Sequence, residues 1–314
     1  MRIAVLDDYQ RAAHRFADWQ RLAGHEVAFF HEPLGDPAQA LGSFDVVCAM
    51  RERTAFPAEL FDRLPNLRLL VTTGRRNAAV DMDAAAAHGV TVCGTDVPGA
   101  STAELAWGLV LALVRHIPTE DGGMRAGGWQ TTVGLDLAGR SLGILGLGRL
   151  GSIVARYGTA FGMRLVAWSE NLTAERAAEC GAELVAKDEL LASADVVTIH
   201  LVLSGRTRGL IGARELGLMK PTACLVNTSR GPIVDEAALI EAVQTGRIAG
   251  AALDVYDREP LPADHPLRSA PNTVLTPHLG YVTEETYRIF YEQTVEGVVA
   301  WLAGEPVRVI SSPA

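Results

Sequence analysis

The sequence predicts an α/β protein with two doubly wound parallel sheets. The N-terminal third of the chain alternates short β-like runs with helical segments, and a second alternation of the same kind begins at Ser141. Such alternation is typical of parallel strands joined by crossover helices. The 314 residues, 48% of them hydrophobic, suffice for about two domains, because single cores rarely grow beyond roughly 250–300 residues.

The N-terminal series predicts the first sheet and ends at a turn-rich break. Its predicted strands are residues 3–7, 26–30, 46–50, 67–72 and 91–93. Its predicted helices are residues 11–22, 57–64 and 82–88. The break contains Pro98 and Gly99, which favour turns, and it predicts a hinge after the first domain.

A helix over residues 102–114 opens the second series. Ser101 and Glu104 have the spacing of a capping box, so Ser101 is predicted to cap this helix. The predicted strands that follow are residues 141–145, 165–168, 196–200, 224–228, 250–256 and 273–276. Further helices are predicted over residues 150–161, 235–245 and 283–302. The position of the last helix would let the chain return to the first domain.

The charge and the cysteines argue against several classes of partner. A net charge of −9 and a pI near 5.4 disfavour a nucleic-acid partner or an anionic membrane surface, both of which require a basic face. No apolar stretch reaches the roughly 20 residues of a membrane span, and we expect no signal peptide. Cys48, Cys93, Cys180 and Cys224 lie far apart without a C-x-x-C pair, so we expect reduced thiols, a cytoplasmic protein and no metal site.

A glycine-rich turn between a predicted strand and a predicted helix indicates a dinucleotide site. Gly146, Gly148 and Gly151 have the G-x-G-x-x-G spacing. The first glycine permits a tight turn, the second lets the backbone approach a pyrophosphate, and the third allows close packing of helix on strand. The amino end of the following helix, at Arg149 and Leu150, would point at the phosphates. A purely structural turn is the alternative, and the flanking strand and helix favour the dinucleotide.

The segment after the next predicted strand favours NAD over NADP. An acidic residue about twenty residues beyond the glycines normally binds the adenosine 2′-hydroxyl. Here Ser169 occupies that position and Glu170 follows it. The carboxylate would repel a 2′-phosphate, and no Arg or Lys lies closer than Arg176.

Arg230, Glu259 and His278 each follow the end of a predicted strand by a few residues. The carboxyl ends of the strands line the ligand crevice of an open parallel sheet, so these side chains would converge at one edge. Taken singly, each has a structural alternative: an exposed arginine in a turn, a surface glutamate before Pro260, and a histidine that caps a helix. Together with a dinucleotide site they indicate a redox centre, and the chain is predicted to be an oxidoreductase.

Four successive motifs resemble those of the D-isomer-specific 2-hydroxyacid dehydrogenases. They are Gly-Leu-Gly-Arg-Leu-Gly at 146–151, Asn-Thr-Ser-Arg-Gly at 227–231, Ala-Leu-Asp-Val-Tyr-Asp-Arg-Glu-Pro at 252–260 and Pro-His-Leu-Gly at 277–280. The resemblance covers most of the chain. It implies a Rossmann-type nucleotide domain, residues 98–282, inserted in a flavodoxin-like substrate domain, residues 1–97 and 283–314, with the active site in the cleft. It also implies a homodimer formed through the nucleotide domain.

The resemblance further implies the NAD-dependent interconversion of a 2-keto acid and a D-2-hydroxy acid. Reduction needs a hydride on the carbonyl carbon and a proton on the oxygen. His278 could supply the proton because imidazoles titrate near neutrality. Glu259 would favour the imidazolium and fix its orientation. The planar donors of Arg230 would bind the carboxylate and carbonyl oxygens of the substrate.

The same resemblance assigns further contacts to the cofactor. Asp254 would hold the nicotinamide carboxamide, and Thr228 and Ser229 would flank the cofactor. His200 and Thr207 fall in a cofactor-side loop, although Leu-Val-Leu after His200 replaces the commoner Leu-Pro-Leu.

Substrate binding is expected from segments that follow two strands of the first domain. Family members commonly bind the substrate carboxylate through backbone amides after a glycine equivalent to Gly74, and some add an arginine at the position of Arg51. Arg75 and Arg76 replace the small residues often found there, and could extend the site toward a second anionic group or point to solvent. Tyr281 stands where a glycine is frequent, and would either narrow the pocket or pack the hinge.

Three other functions share parts of this pattern. An NAD-sensing corepressor of the same family would keep the fold and the three polar residues, but we expect no partner-binding extension here. A formate dehydrogenase would pair a glutamine with the histidine, whereas Glu259 precedes His278. A short D-3-phosphoglycerate dehydrogenase stays open, and the sequence does not name the 2-hydroxy acid.

Overall fold

Two parallel sheets contain the strands of residues 1–310, which are the residues that the computed structural model describes. The strands of the first sheet are β1 Arg2–Val5, β2 Glu26–Phe29, β3 Val46–Ala49, β4 Leu69–Thr72 and β5 Thr91–Cys93. The strands of the second sheet are β6 Ser141–Leu145, β7 Arg164–Trp168, β8 Ala182–Leu184, β9 Val196–Ile199, β10 Cys224–Asn227, β11 Gly250–Leu253 and β12 Thr273–Leu275.

The strand orders are those of two doubly wound folds. The first sheet runs β2-β1-β3-β4-β5 and the second runs β12-β11-β10-β9-β6-β7-β8. The first is the flavodoxin-like order, and the second, counted from β6, is the order of a dinucleotide-binding Rossmann sheet with one further strand. In both folds ligands bind outside the carboxyl ends of the strands, where the strand order reverses. The predicted fold class is confirmed.

Helices connect the strands and cover both faces of the sheets. They are α1 Ala13–Phe16, α2 Pro37–Leu41, α3 Ala58–Phe61, α4 Met82–Ala87, α5 Ser101–Val114, α6 Ile117–Arg125, α7 Arg149–Ala160, α8 Ala174–Glu179, α9 Lys187–Ser193, α10 Ala213–Leu218, α11 Glu236–Gln244 and α12 Glu284–Leu302. Short 3₁₀ turns occur at Trp19–Leu22, Gly231–Ile233 and Pro266–Ser269. Over residues 1–310 no helix is both long enough and apolar enough to span a membrane.

The chain divides into two compact units. Unit 1 contains Met1–Gly99 and the segment from Val282 onward, and unit 2 is the continuous stretch Ala100–Tyr281. The central strands are buried along their whole length, as in Val46–Ala49 of unit 1 and Cys224–Asn227 of unit 2. Parallel strands covered by helices on both faces need apolar residues at every position, which explains their continuous hydrophobic runs.

Several predicted elements differ in detail from the structure. The predicted helix over residues 11–22 is two short elements, because Asp18 accepts a hydrogen bond from Gln20 N–H and starts a new 3₁₀ turn. The prediction that Ser101 caps its helix is wrong: Ala100 occupies the N-cap position and Ser101 is the first helical residue. The strand predicted over residues 250–256 ends at Leu253. Strand β8 and helices α2, α6, α8, α9 and α10 were not predicted.

Candidate active site

The glycine-rich loop joins β6 to α7 at the carboxyl edge of the second sheet. Gly146 has φ 98°, and a Cβ built there would lie 2.7 Å from the carbonyl oxygen of His200. A Cβ on Gly151 would lie 2.0 Å from the carbonyl oxygen of Gly146. No atom lies within 4 Å of a Cβ built on Gly148. Packing therefore requires the first and third glycines, whereas the second leaves open space next to the amino end of α7, where Arg149 and Leu150 begin the helix.

The segment after β7 carries Ser169 and the exposed Glu170. The nearest base identified from the sequence, Arg176, is engaged by Glu179, with Nη1 2.8 Å from Oε2. This region presents a carboxylate, and the guanidinium of Arg176 is already neutralised.

Glu259 and His278 form a close pair beyond the carboxyl ends of β11 and β12. His278 Nδ1 lies 2.6 Å from Glu259 Oε2, and the other carboxylate oxygen accepts the N–H of Tyr256 at 3.0 Å. The carboxylate therefore fixes the ring through Nδ1, and within residues 1–310 Nε2 of His278 has no hydrogen-bond partner. The ring of Tyr281 packs edge-on against the imidazole, with centroids 5.5 Å apart.

Asp254 anchors the loop that carries His278. One carboxylate oxygen accepts Thr276 Oγ1–H at 2.6 Å and Leu279 N–H at 2.7 Å, and the other accepts Gly280 N–H at 2.8 Å. Burial raises the pKa of Asp254 above its usual value, and these hydrogen bonds together with the nearby imidazole oppose that rise. The sequence did not single out Thr276 or Tyr256 as site residues, although Tyr256 lies within the motif at 252–260.

The loop after β10 holds Arg230 next to the Tyr256 segment. Ser229 Oγ donates to the carbonyl oxygen of Ile199 at 2.7 Å, and Arg230 Nη1 donates to the carbonyl oxygen of Ser229 at 2.7 Å. A Cβ on Gly231 would lie 2.1 Å from the carbonyl carbon of Tyr256, so glycine lets the two loops approach closely. The structure thus brings the Arg230 loop against the segment that ends in Glu259.

Two buried polar atoms just beyond β9 and β10 fit a bound ligand. Within residues 1–310, His200 Nε2 and Thr228 Oγ1 are buried and have no hydrogen-bond partner. His200 follows β9, which pairs with β6, and Thr228 follows β10, which pairs with β9. Buried polar groups rarely stay unpaired in native proteins, and a cofactor could satisfy these two. Burial also lowers the pKa of His200 to about 4.

The hydroxyl of Thr207 forms hydrogen bonds within its own loop. Its hydroxyl donates to the carbonyl oxygen of Val202 at 2.7 Å and accepts the N–H of Ser204 at 2.8 Å. Val202, which replaces the commoner proline, is 83% exposed. The hydroxyl of Thr207 is therefore used within the loop, and its contact with a cofactor stays a prediction.

In unit 1, Arg51 and Gly74 meet at the carboxyl ends of β3 and β4. A Cβ on Gly74 would lie 2.0 Å from Arg51 Nη1, which donates to the carbonyl oxygen of Thr73 at 3.2 Å. Asn77, buried to 5% exposure, donates through Nδ2 to the carbonyl oxygen of Arg51 at 2.7 Å and to Thr72 Oγ1 at 2.8 Å. The sequence did not identify Asn77, which ties the two loops together.

The two arginines after Gly74 have different surroundings. Arg75 donates through Nε and Nη2 to Asp96 Oδ1, at 3.1 and 2.7 Å, and its side chain is 80% exposed. Arg76 is exposed and makes no ion pair within residues 1–310. No group of three or more potential metal ligands occurs within the same residues.

The glycine-rich loop and the Glu259–His278 pair occur in the part of the chain that matches a known family. Residues 107–280 match the family model described as "D-isomer specific 2-hydroxyacid dehydrogenase, NAD binding domain". The glyoxylate reductase of Aeropyrum pernix is 41% identical over 259 residues, which cover 79% of this chain and 77% of that protein. The chain belongs to the D-isomer specific 2-hydroxyacid dehydrogenases.

Two further proteins are similar to this chain over most of its length. The D-3-phosphoglycerate dehydrogenase of Bacillus subtilis is 37% identical over 284 residues, or 90% of this chain, and the chain spans 54% of its length. The crystal structure of a phosphoglycerate oxidoreductase from Vibrio cholerae has a TM-score of 0.92 and 38% identity, covering 97% of this chain and 99% of that one. The protein is an NAD-dependent oxidoreductase that acts on the CH–OH group of 2-hydroxy acids.

Proposed function

We propose that this dehydrogenase reduces a small monoanionic 2-keto acid to the D-2-hydroxy acid, with His278 as the proton donor. The observation that carries the proposal is the 2.6 Å contact of Glu259 Oε2 with His278 Nδ1. It orients the ring and leaves Nε2 available for a reacting oxygen. General acid catalysis by a positioned imidazole contributes about 10²–10⁴-fold in rate.

The other roles follow from the chemistry of the side chains. NADH, when bound, supplies the hydride. His278 gives its Nε2 proton to the carbonyl oxygen, and the Glu259 carboxylate stabilises the imidazolium before the transfer. Arg230 offers planar donors to the carboxylate or the carbonyl oxygen of the substrate. Asp254 holds the Thr276–Gly280 loop in place and so positions His278.

A monoanionic substrate is favoured by the state of Arg75. Its guanidinium is paired with Asp96 at 2.7 Å, which weakens its attraction for a second anionic group. Arg76 has no such partner within residues 1–310, and we assign its side chain to a neighbouring depression rather than to the substrate. We assign the binding of the substrate carboxylate in unit 1 to Arg51 and to the N–H groups of Arg75 and Arg76, which donate no hydrogen bond within residues 1–310. The similarity to a glyoxylate reductase supports a small keto acid.

The test is a spectrophotometric screen of 2-keto acids with NADH and NADPH. Glyoxylate, pyruvate, hydroxypyruvate, phenylpyruvate and phosphohydroxypyruvate cover small, aromatic and dianionic substrates. We expect turnover of a monoanionic acid, a loss of about 10²–10⁴-fold for His278→Gln, and unchanged NADH binding. His14→Gln, an exposed histidine of unit 1, is the matched control. A His278→Gln variant with parental turnover would refute the role, and no turnover of any acid would favour an NAD-sensing protein.

NAD is proposed as the preferred cofactor over NADP. Glu170 is exposed directly after Ser169 and would repel a 2′-phosphate. Glu170→Arg should raise kcat/KM for NADPH relative to NADH, whereas Glu183→Arg, an exposed position on β8, should not. A parental enzyme that prefers NADPH would overturn this assignment.

We also propose that the protein forms a homodimer through unit 2. Four apolar side chains of the stretch that contains α6 and the segment after it are solvent-exposed: Ile117 52%, Met124 51%, Trp129 72% and Val133 92%. Apolar side chains grouped in this way mark interaction surfaces. The double change Trp129→Glu and Val133→Glu should give a monomer in analytical ultracentrifugation, and Val202→Glu should not. A parental monomer would contradict the proposal.

A cytoplasmic location is proposed from the thiols. All four cysteines are free, and burial raises the pKa of Cys48 to about 12 and that of Cys224 to about 11. Such thiols are inert and suit a reducing compartment. Fractionation of the source cells tests this, and recovery of the enzyme outside the cytoplasm would contradict it.

A further inference from the structure

A depression in unit 1 lies next to the Gly74 loop, and the side chains of Arg75 and Arg76 line it. It lies at the carboxyl ends of β4 and β5, has a volume of about 870 Å³, and is lined in part by Arg76, Met82, Asp96, Val309 and Ile310. We call it the β4–β5 depression. The Glu259–His278 pair belongs to the other compact unit.

One cation of the β4–β5 depression is not neutralised. Arg75 is paired with Asp96, and Arg308 with Glu296 at 2.9 Å. Arg76 also lines the depression and makes no ion pair within the part of the chain that the structure describes. The depression therefore keeps a positive charge on a protein whose net charge is −9.

Part of the lining of the depression is apolar, and backbone hydrogen bonds hold that part in place. Gly94 N–H donates to the carbonyl oxygen of Arg308, and Ile310 N–H donates to that of Val92, both at 2.9 Å. These bonds hold Ile310 against the core of unit 1, where it packs on buried side chains. Met82, Val309 and Ile310 offer an apolar surface beside the guanidinium of Arg76.

One wall of the depression supports the Gly74 loop. Thr95, which lines the depression, accepts the N–H of Gly74 through Oγ1 at 2.8 Å. A Cβ on Gly94 would lie 2.5 Å from the carbonyl oxygen of Gly74, so the two segments are in close contact. A ligand in the depression would touch the residues that hold this loop.

We propose that the β4–β5 depression is a regulatory site for a small organic anion, a carboxylate or a phosphate ester with a short alkyl chain. Arg76 binds the anionic group, and Met82, Val309 and Ile310 contact the alkyl chain. The ligand acts on the Gly74 loop through Thr95 and Gly94. The effect on turnover rests on the proposed function, whereas binding does not.

The test measures binding to the full chain without cofactor or substrate, so that the site and the proposed function can fail separately. Butyl phosphate, butyrate and inorganic phosphate are titrated by calorimetry. We expect an alkyl probe to bind more tightly than inorganic phosphate, and the tighter of the two alkyl probes identifies the anionic group. Arg76→Ala should weaken binding by about ten- to a hundredfold, the value of one charge-assisted contact. Arg21→Ala, an exposed arginine of unit 1 outside the depression, is the matched control and should bind as the parent does.

Two outcomes overturn the site: no binding of any probe to the parental protein, or equal binding by the Arg76→Ala variant. Methyl NMR signals of Met82 and Ile310 should shift on titration with the bound probe, and unchanged signals would also refute the location. With the enzyme active, the bound probe should change KM for the keto acid in the parent but not in Arg76→Ala. An equal change in both would refute the regulatory role.

Discussion

The two oxygens of the Glu259 carboxylate have different partners. Oε2 lies next to His278 Nδ1, and Oε1 accepts the N–H of Tyr256. In the proposed mechanism His278 donates the proton as an imidazolium, and an adjacent carboxylate stabilises that form. Glu259→Gln should therefore move the alkaline limb of the rate profile for keto-acid reduction to lower pH.

Steady-state rates across pH test this expectation. A matched control is Glu236→Gln, because Glu236 forms a second Glu–His pair, with His265 at 3.0 Å, that has no proposed catalytic role. Its rate profile should stay unchanged. An alkaline limb that stays in place for Glu259→Gln would show that the carboxylate does not act through His278.

Because of His200, we expect the stability of the protein to depend on pH. Burial lowers its pKa from 6.5 to about 4, so between these values the unfolded chain binds more protons than the folded one. The free energy of unfolding should fall as the pH falls through this window, by up to about 3 kcal/mol. Urea unfolding of the cofactor-free protein measures it. The decline should be smaller for His200→Gln and unchanged for the exposed His14→Gln; equal declines in all three proteins would contradict the assignment.

The approach of Glu259 and His278 could be predicted from the sequence, because both follow parallel strands that end at the same edge. The contacts that hold them could not be predicted in the same way. His278 has φ 55°, and Thr276 and Tyr256 contribute through the path of their loops. Side-chain to backbone bonds of this kind depend on the exact loop conformation, which spacing alone does not determine.

At the scale of the element, the glycines of the β6–α7 loop have different roles. A Cβ on Gly151 would collide with the Gly146 carbonyl oxygen at 2.0 Å, whereas Gly148 has open space within 4 Å. Gly151→Ala should destabilise the fold, by roughly 1–3 kcal/mol or more for a forced backbone shift. Gly148→Ala should keep the parental melting temperature without cofactor and still weaken NADH binding, because a methyl group obstructs the pyrophosphate.

Thermal unfolding and NADH fluorescence titration of the two variants separate these effects. For Gly148→Ala we expect a lower affinity for NADH together with an unchanged melting temperature. Parental NADH affinity in that variant would show that the cofactor does not approach the loop at Gly148.

Cap positions show where sequence patterns identify an element but not its first residue. Asp235 and Thr283 cap α11 and α12, since their side chains accept N–H bonds from Ala238 and Thr286. Ser101 has the same spacing to a glutamate, yet α5 begins one residue earlier. The Ser101–Glu104 spacing predicts that a helix begins here, but the backbone conformation at Ala100 determines which residue is the N-cap.

At the scale of the whole molecule, the two units differ in the number of chain segments that form them. Unit 2 is the single stretch Ala100–Tyr281, whereas unit 1 is assembled from both ends of the chain. A fragment of residues 100–281 contains the glycine-rich loop and the Glu259–His278 pair. It should therefore fold and bind NADH with an affinity comparable to that of the full chain. It should not reduce keto acids, because it lacks Arg51 and the Gly74 loop, which we propose bind the substrate.

Circular dichroism, NADH titration and a turnover assay on the fragment check this prediction. Full keto-acid reduction by the fragment would remove the substrate-binding role of unit 1. Loss of NADH binding in a folded fragment would show that unit 1 contributes to the cofactor site.

The class of the two sheets could be predicted because parallel, doubly buried strands leave continuous apolar runs. Short connecting helices such as α2 and α10 could not, since four to six residues rarely carry a readable period. The surroundings of Arg75 and Arg76 were also undetermined, because Asp96 lies beyond the next strand and reaches Arg75 only in the folded chain.

The antiparallel pairing of Cys93 with Val309 covers the outer edge of strand β5. Strand β5 is the last strand of the first sheet, and an uncovered edge strand can pair with the same strand of another molecule. The segment at residues 308–310 occupies that edge through the bonds at Gly94 and Ile310. A chain cut before Arg308 would expose the edge of β5, and we infer that such a cut would favour edge-to-edge assembly into insoluble material.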